Sequence, residues 1–121
     1  MDELIERLVT KIGVKRPVAE KAVAIILNFL KKEGPADKVQ VLIDKIPGGA
    51  ELLAAQSGGT GGGLFGMGGI MGAANELMGA GLSMGQVQSV TQEVVAYARE
   101  KAGEDAVGEI VGSIPGLGQF V

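Results

Sequence analysis

The sequence predicts an all-α protein in which two similar three-helix units pack as one small helical bundle with a flexible glycine-rich linker. Apolar residues recur at spacings of three and four along the chain, which is typical of amphipathic helices rather than strands. The chain also repeats itself, because residues 1–53 align with residues 69–121 at a constant offset of 68 without a gap. The third observation is the glycine content of 21 residues in 121, concentrated between residues 58 and 85.

The repeat is most specific where three consecutive residues match, Ile46-Pro47-Gly48 with Ile114-Pro115-Gly116. Other matches at the same offset are Gly13 with Gly81, Phe29 with Tyr97, Asp37 with Asp105 and Val39 with Val107. One register throughout predicts a first helical repeat over 1–55, a glycine-rich linker over 56–66 and a second helical repeat over 67–121. The alternative interpretation is two unrelated helical hairpins of similar length.

The first unit contains three predicted helices. Residues 2–12 carry an apolar stripe at helical spacing, and Gly13 follows as a C-terminal cap. Pro17 suits the first turn of a second helix that runs to about Glu33, since the N–H that proline lacks would have no partner there. The pair Gly34-Pro35 ends that helix, and a third follows over roughly 36–45. A short helical segment is predicted over 50–55.

The second unit repeats this plan after a linker at 57–63 that has no capacity to form a core. A helix is predicted over about 69–80. Ser83 and Gln86 have the Ser-x-x-Gln spacing of a capping box, which predicts the start of a long helix ending near Ala102. A last helix is predicted over about 104–112, before a short apolar tail.

The composition argues against catalysis and against a bound cofactor. The chain has no Cys and no His, so thiol nucleophiles, zinc–thiolate sites and the usual proton-transfer side chain are excluded. Four acidic residues lie around a predicted helix start, where the helix dipole stabilises negative charge. We expect this role for them rather than the binding of a metal ion: Glu100, Glu104, Asp105 and Glu109. The glycine run lacks the Gly-Lys-Ser/Thr of a phosphate loop. We therefore expect no enzyme, no cofactor and no metal.

Charge is distributed unevenly between the two halves. Residues 1–51 carry a net charge of +1 and residues 52–121 carry −4, which together give the −3 of the whole chain. Lys11, Lys15 and Arg16 cluster near the first predicted turn and are the candidate contacts for an alternative function, nucleic-acid binding. The amino-terminal residues are acidic where a signal peptide would be basic, so a cytoplasmic location is expected.

An apolar, glycine-punctuated segment is the predicted site of interaction. The predicted flexible linker lies next to methionines, whose side chains adapt to surfaces of different shape. This favours a contact with a protein partner or with a second copy of the chain. Peripheral membrane contact through residues 64–71 is a third reading, although the segment is too short and interrupted for a membrane span. The candidate contact residues are Leu64, Phe65, Met67, Ile70, Met71 and Phe120.

Two families have helical units similar to this sequence. The order Gly13-Val14, Ala19-Glu20-Lys21-Ala22, Gly34-Pro35, Ile46-Pro47 and Glu51-Leu52-Leu53, with Gly81-Leu82-Ser83 later, resembles bacterial domain-of-unknown-function families of the DUF 2267 and DUF 2780 type. That resemblance covers most of the chain and implies a helical fold with no assigned activity. Residues 1–45 more weakly resemble the helical hairpin of histone-like HU proteins. The β-ribbon arm with which those proteins hold DNA has no counterpart here, so the resemblance does not imply DNA binding.

Overall fold

The computed structural model describes residues 2–46, 48–49, 51–52, 69–114 and 117–119. Within these ranges the chain forms helices and no strand, which confirms the all-α prediction. The predicted linker over 56–66 lies outside the described residues. The helices are α1 (Asp2–Arg7) continuing as a π-helical turn (Leu8–Ile12), α2 (Arg16–Glu33), α3 (Ala36–Lys45), α4 (Gly69–Gly79), α5 (Met84–Ala102), α6 (Glu104–Ser113) and a 3₁₀ turn (Leu117–Gln119).

Left-handed glycines end the first helix of each half, as the sequence predicts for Gly13. Gly13 has φ 86° and donates its N–H to the Val9 carbonyl at 3.1 Å. Gly81 has φ 114° in the turn that follows α4. A β-carbon is disfavoured at such φ values, so glycine is the residue that closes both turns without strain.

The start of α5 confirms the predicted capping box. The Gln86 backbone N–H donates to Ser83 Oγ at 3.3 Å, and the Ser83 N–H donates to Gln86 Oε1 at 2.9 Å. These two bonds satisfy backbone donors that a helix start leaves without partners. Pro17 is the second residue of α2, again within the turn where its missing N–H costs nothing.

The bounds of corresponding helices in the two halves lie 68 residues apart at several places. α2 begins at Arg16 and α5 at Met84, and α3 and α6 begin and end 68 residues apart. The residues after α3 and α6 also share a conformation: Ile46 has φ −92° and ψ 112°, and Ile114 has φ −106° and ψ 112°. Residues 8–12, predicted as ordinary helix, instead form a π turn. Its backbone hydrogen bonds join residues five apart instead of four, so each turn holds about one more residue.

One apolar core joins the two halves. Helix α2 lies at its centre, because residues 22–27 are six consecutive buried positions and together cover the whole circumference of a helix. The short first helix of each half packs across the other half, α1 on α5 and α4 on α2, while α3 packs against α5 and α6. Gly34 marks a close approach, since a β-carbon there would lie 2.8 Å from the Leu30 carbonyl oxygen and 3.4 Å from Ile114 Cδ1.

Candidate functional site

Three ion pairs hold α1 and its π turn against α5, and we call this set the ionic contact. Arg7 Nη1 lies 2.9 Å from Glu100 Oε2, Lys11 Nζ lies 3.2 Å from Glu93 Oε1, and Lys101 Nζ lies 3.8 Å from Glu3 Oε1. As the residue number rises along α1 and its π turn, the number of the partner on α5 falls. The two helices therefore run antiparallel, and the ionic contact follows most of the length of α1.

Tyr97 anchors the ionic contact from the buried side of α5. The residue is 1% exposed, and Arg7 Cζ and Lys101 Nζ lie 5.5 and 5.4 Å from the ring centroid. Cations at this distance are attracted to an aromatic ring. Burial of the side chain raises the pKa of Tyr97, so the phenol stays neutral.

The Arg7–Glu100 pair has the strongest geometry in the ionic contact. Both terminal nitrogens of Arg7 donate to the Glu100 carboxylate, each at 2.9 Å, in the bidentate arrangement that suits these two groups. The hydrogen bond from Arg7 lowers the pKa of Glu100 below its ordinary value of 4.5. The same bond raises the pKa of Arg7. The Glu100 side chain is 51% exposed, so solvent screens this pair.

In two of the three pairs of the ionic contact, Arg7 with Glu100 and Lys11 with Glu93, the first half supplies the cation and the second half the carboxylate. A further pair, Lys38 with Glu109, joins α3 to α6. The structure brings these side chains together across the two halves. The part that sequence reasoning missed is this pairing, since residues 71 to 98 positions apart carry no local signal of contact.

The candidate nucleic-acid residues are divided between ion pairs and solvent. Lys11 pairs with Glu93, and Arg16 Nε lies 3.9 Å from Glu20 Oε2 within α2. Lys15 is exposed just before α2. Of the acidic residues considered for a metal, Glu100 and Glu109 face cationic side chains. In the part of the chain that the structure describes, no group of three acidic residues could hold a metal ion.

The predicted interaction segment is only partly within the described residues. Ile70 and Met71 belong to the first turn of α4, and their side chains are not described. The other candidates, Leu64, Phe65, Met67 and Phe120, lie outside the described residues.

An exposed apolar turn follows α4, and sequence reasoning did not select it. Met78 is 38% exposed at the end of α4, and Met84 is 55% exposed at the start of α5. We call residues 78–85 the methionine turn. The other exposed residues of the methionine turn are glycines and Ser83. The available signal was the absence of charge, since Glu76 is the single charged residue between positions 52 and 92.

The corresponding turn of the first half has a different chemistry. Thr10 and Arg16 lie 68 positions before Met78 and Met84. At the same offset, Lys11 and Lys15 correspond to Gly79 and Ser83. We call residues 10–17 the charged turn. Both turns contain a left-handed glycine, but one surface is cationic and ion-paired while the other is uncharged and apolar.

No helix among the described residues combines the length and the apolarity needed to cross a membrane. Comparisons of the chain with protein-family models, with curated proteins and with solved structures found no match. The two family resemblances therefore stay predictions.

Proposed function

We propose that this protein is a non-enzymatic helical interaction module that associates with a protein partner or with itself through the second half of the chain. The contact surface in this proposal is the methionine turn together with the predicted segment Leu64–Met71, which leads into α4. The observation that carries it is the exposure of Met78 and Met84 around one turn, within a stretch from 77 to 92 that bears no charge.

The physical basis is the composition of interface cores. Charged residues are depleted there and methionine is enriched, because desolvating a charge costs free energy while a flexible thioether adapts to many shapes. The three exposed large apolar side chains among the described residues are Val41, Met78 and Met84. Val41 lies alone on α3 among charged neighbours, whereas the two methionines flank the same turn.

The same proposal includes a repeated architecture. We infer that residues 1–55 and 67–121 are two copies of one three-helix unit joined by the segment 56–66. The support is the common offset of the helix bounds, the left-handed Gly13 and Gly81, and the shared conformation of Ile46 and Ile114. The copies share the scaffold, and the proposed contact uses what they do not share.

A double variant of the methionine turn tests the interaction. Met78→Gln with Met84→Gln keeps the side-chain size at two exposed positions and removes the apolar surface. We expect association, measured by light scattering and by quantitative capture of the partner from cell extract, to weaken at least about tenfold. Val41→Gln is the matched control, since it removes an equally exposed apolar side chain elsewhere.

The segment before α4 is tested separately with Phe65→Ser and Met67→Ser. If these variants and the double methionine variant all leave self-association and partner capture unchanged, the proposed surface is wrong. Retention on DNA that falls with salt and is lost in Lys15→Glu/Arg16→Glu would favour the nucleic-acid alternative. Binding to lipid vesicles that depends on residues 64–71 would favour membrane contact. The cytoplasmic location stays a prediction.

A further inference from the structure

The two halves of the chain are held together by an extensive interface. Helix α4 packs on α2, α1 with its π turn packs on α5, and α3 packs on α5 and α6. Among the described helices, these contacts between the halves are more extensive than the contacts within either half. An isolated half would expose the apolar faces of its helices to water, so each half needs a complementary half to bury them.

Charge specifies which half is complementary. A fourth pair, Glu3 with Lys101, has the opposite polarity to the three that take the cation from the first half and the carboxylate from the second. Those three are Arg7 with Glu100, Lys11 with Glu93, and Lys38 with Glu109. An exposed pair adds little to affinity, but a like charge in place of either partner replaces attraction by repulsion. The ion pairs therefore act mainly on the choice of partner.

Pairing between two halves of the same kind is disfavoured by these charges. This step rests on the proposed repeat, in which positions 68 residues apart occupy corresponding places. Two first halves in the observed geometry would bring Lys32 opposite Arg7 and Glu33 opposite Glu3, so like charges would face each other twice. Two second halves would leave the carboxylates of α5 without these cations, because α4 contains no Lys or Arg. A first half therefore selects a second half.

We propose that the interface between the halves also binds a second copy of this chain, through an exchange of halves: the first half of each copy packs on the second half of the other. The exchanged dimer contains the observed interface twice and needs no new contact, because the halves of the second copy are chemically identical to those of the first. Its contact surface is the packing of α1, α2 and α3 on α4, α5 and α6, so it does not depend on the methionine turn.

The concentration of the protein decides between the two forms. Two units joined by a short flexible linker meet at an effective concentration on the order of millimolar. We therefore expect the single chain, with its halves packed on each other, to predominate in dilute solution. The exchanged dimer is expected to increase with protein concentration.

A pair of charge-reversed full-length variants tests the exchange. The first variant is Arg7→Glu with Lys38→Glu, and the second is Glu100→Arg with Glu109→Lys. Within either variant alone, both contacts bring like charges together. When the two are mixed in urea and diluted into buffer, exchange of halves restores opposite charges at every contact. We expect the mixture to contain at least about tenfold more dimer than either variant alone, measured by size-exclusion chromatography with light scattering.

Three controls make the result decisive. A single chain with all four substitutions restores both contacts internally, so it should stay predominantly monomeric, and as much dimer in this control as in the mixture would overturn the proposal. Adding Met78→Gln and Met84→Gln to both variants should leave the dimer intact, and its loss would assign the dimer to the methionine turn instead. If a variant alone is unfolded, mixing should restore its helical circular dichroism. A mixture that gives neither a dimer nor restored helix would overturn the exchange, whatever the methionine variants show.

Discussion

The two short helices that dock across the halves of the molecule, α1 on α5 and α4 on α2, are held by different chemistry. Helix α1 and its π turn combine the fully buried Leu4 and Leu8 with the ionic contact around Tyr97. Helix α4 offers Gly72 where α1 has Leu4, and Asn75 where α1 has Arg7. The comparison teaches that helix order and turn geometry depend on a few backbone requirements, while the chemistry of docking is free to change between similar units.

The largest expected effect comes from making α1 resemble α4. Leu4→Ala removes a fully buried side chain and leaves a cavity, so we expect the free energy of unfolding to fall by about 3 kcal/mol. Urea denaturation followed by circular dichroism measures this loss. Glu6→Ala, on the exposed side of the same helix, is the control and should change stability by less than about 0.5 kcal/mol. A similar loss in both variants would mean that Leu4 is not an anchor.

The turns after the two helices are expected to respond alike. Gly13→Ala and Gly81→Ala each place a β-carbon at positive φ with open space around it, so the cost is conformational and should be about 1–2 kcal/mol in each case. Thermal or urea unfolding of both variants provides the measurement. The proposed repeat would lose support if one turn tolerated alanine without cost while the other did not.

A stabilising change is expected in α6, whose exposed face differs from that of α3. Gly108 and Gly112 correspond to Gln40 and Asp44, which are joined by a 3.1 Å hydrogen bond from Gln40 Nε2 to Asp44 Oδ1. A β-carbon at either glycine meets nothing within 4 Å, so Gly108→Ala and Gly112→Ala should each raise the free energy of unfolding by about 0.5–1 kcal/mol.

Gly34→Ala is the contrasting control for these two variants. Its β-carbon would lie 2.8 Å from the Leu30 carbonyl oxygen, so it should destabilise the fold in the same urea assay. If Gly34→Ala were as stabilising as the α6 variants, the close packing at this junction would be disproved.

The smallest effect is expected from the ionic contact itself, because each of its three pairs has one partner whose side chain is more than half exposed. The pKa of Glu100 is lowered in the folded state, so its contribution to stability is present above the ordinary value of 4.5 and is lost as the pH falls through the folded pKa. In Arg7→Met we expect the pKa of Glu100 to rise towards 4.5, measured by NMR titration of the carboxyl carbon. Lys38→Met, at a separate contact, should leave that pKa unchanged.

Much of the local structure could be predicted from sequence. The Gly13 cap, the Ser83–Gln86 capping box and the starts of α2, α3, α5 and α6 lie where the pattern places them, because caps and breaks depend on residues close in the chain. The burial of α2 goes beyond local pattern, since an amphipathic stripe at helical spacing accounts for only one buried face of a helix. In α2, Val23 and Ala24 are buried as well as Ala22, Ile25 and Ile26, and α4 is among the helices that pack on α2.

The candidate site was less predictable, because its exposure also depends on how separate helices pack. Composition indicated an apolar segment in the second half, but the exposure of Met78 and Met84 depends on which faces the neighbouring helices cover. The charges of Lys11 and Glu93 were visible in the sequence. Their pairing depends on α1 running antiparallel to α5, which no local pattern specifies.

The sequence by itself determined the helices, their ends and the two turns, because these depend on side-chain periodicity, glycine at positive φ and capping within a few residues. Only the tertiary structure decided that the first helix of each half packs on the other half, that residues 22–27 of α2 are buried on every side, and that one docking contact is ionic while the other is not. Those outcomes depend on how separate apolar faces and distant charges are brought together, and that information is not present in any short stretch of the chain.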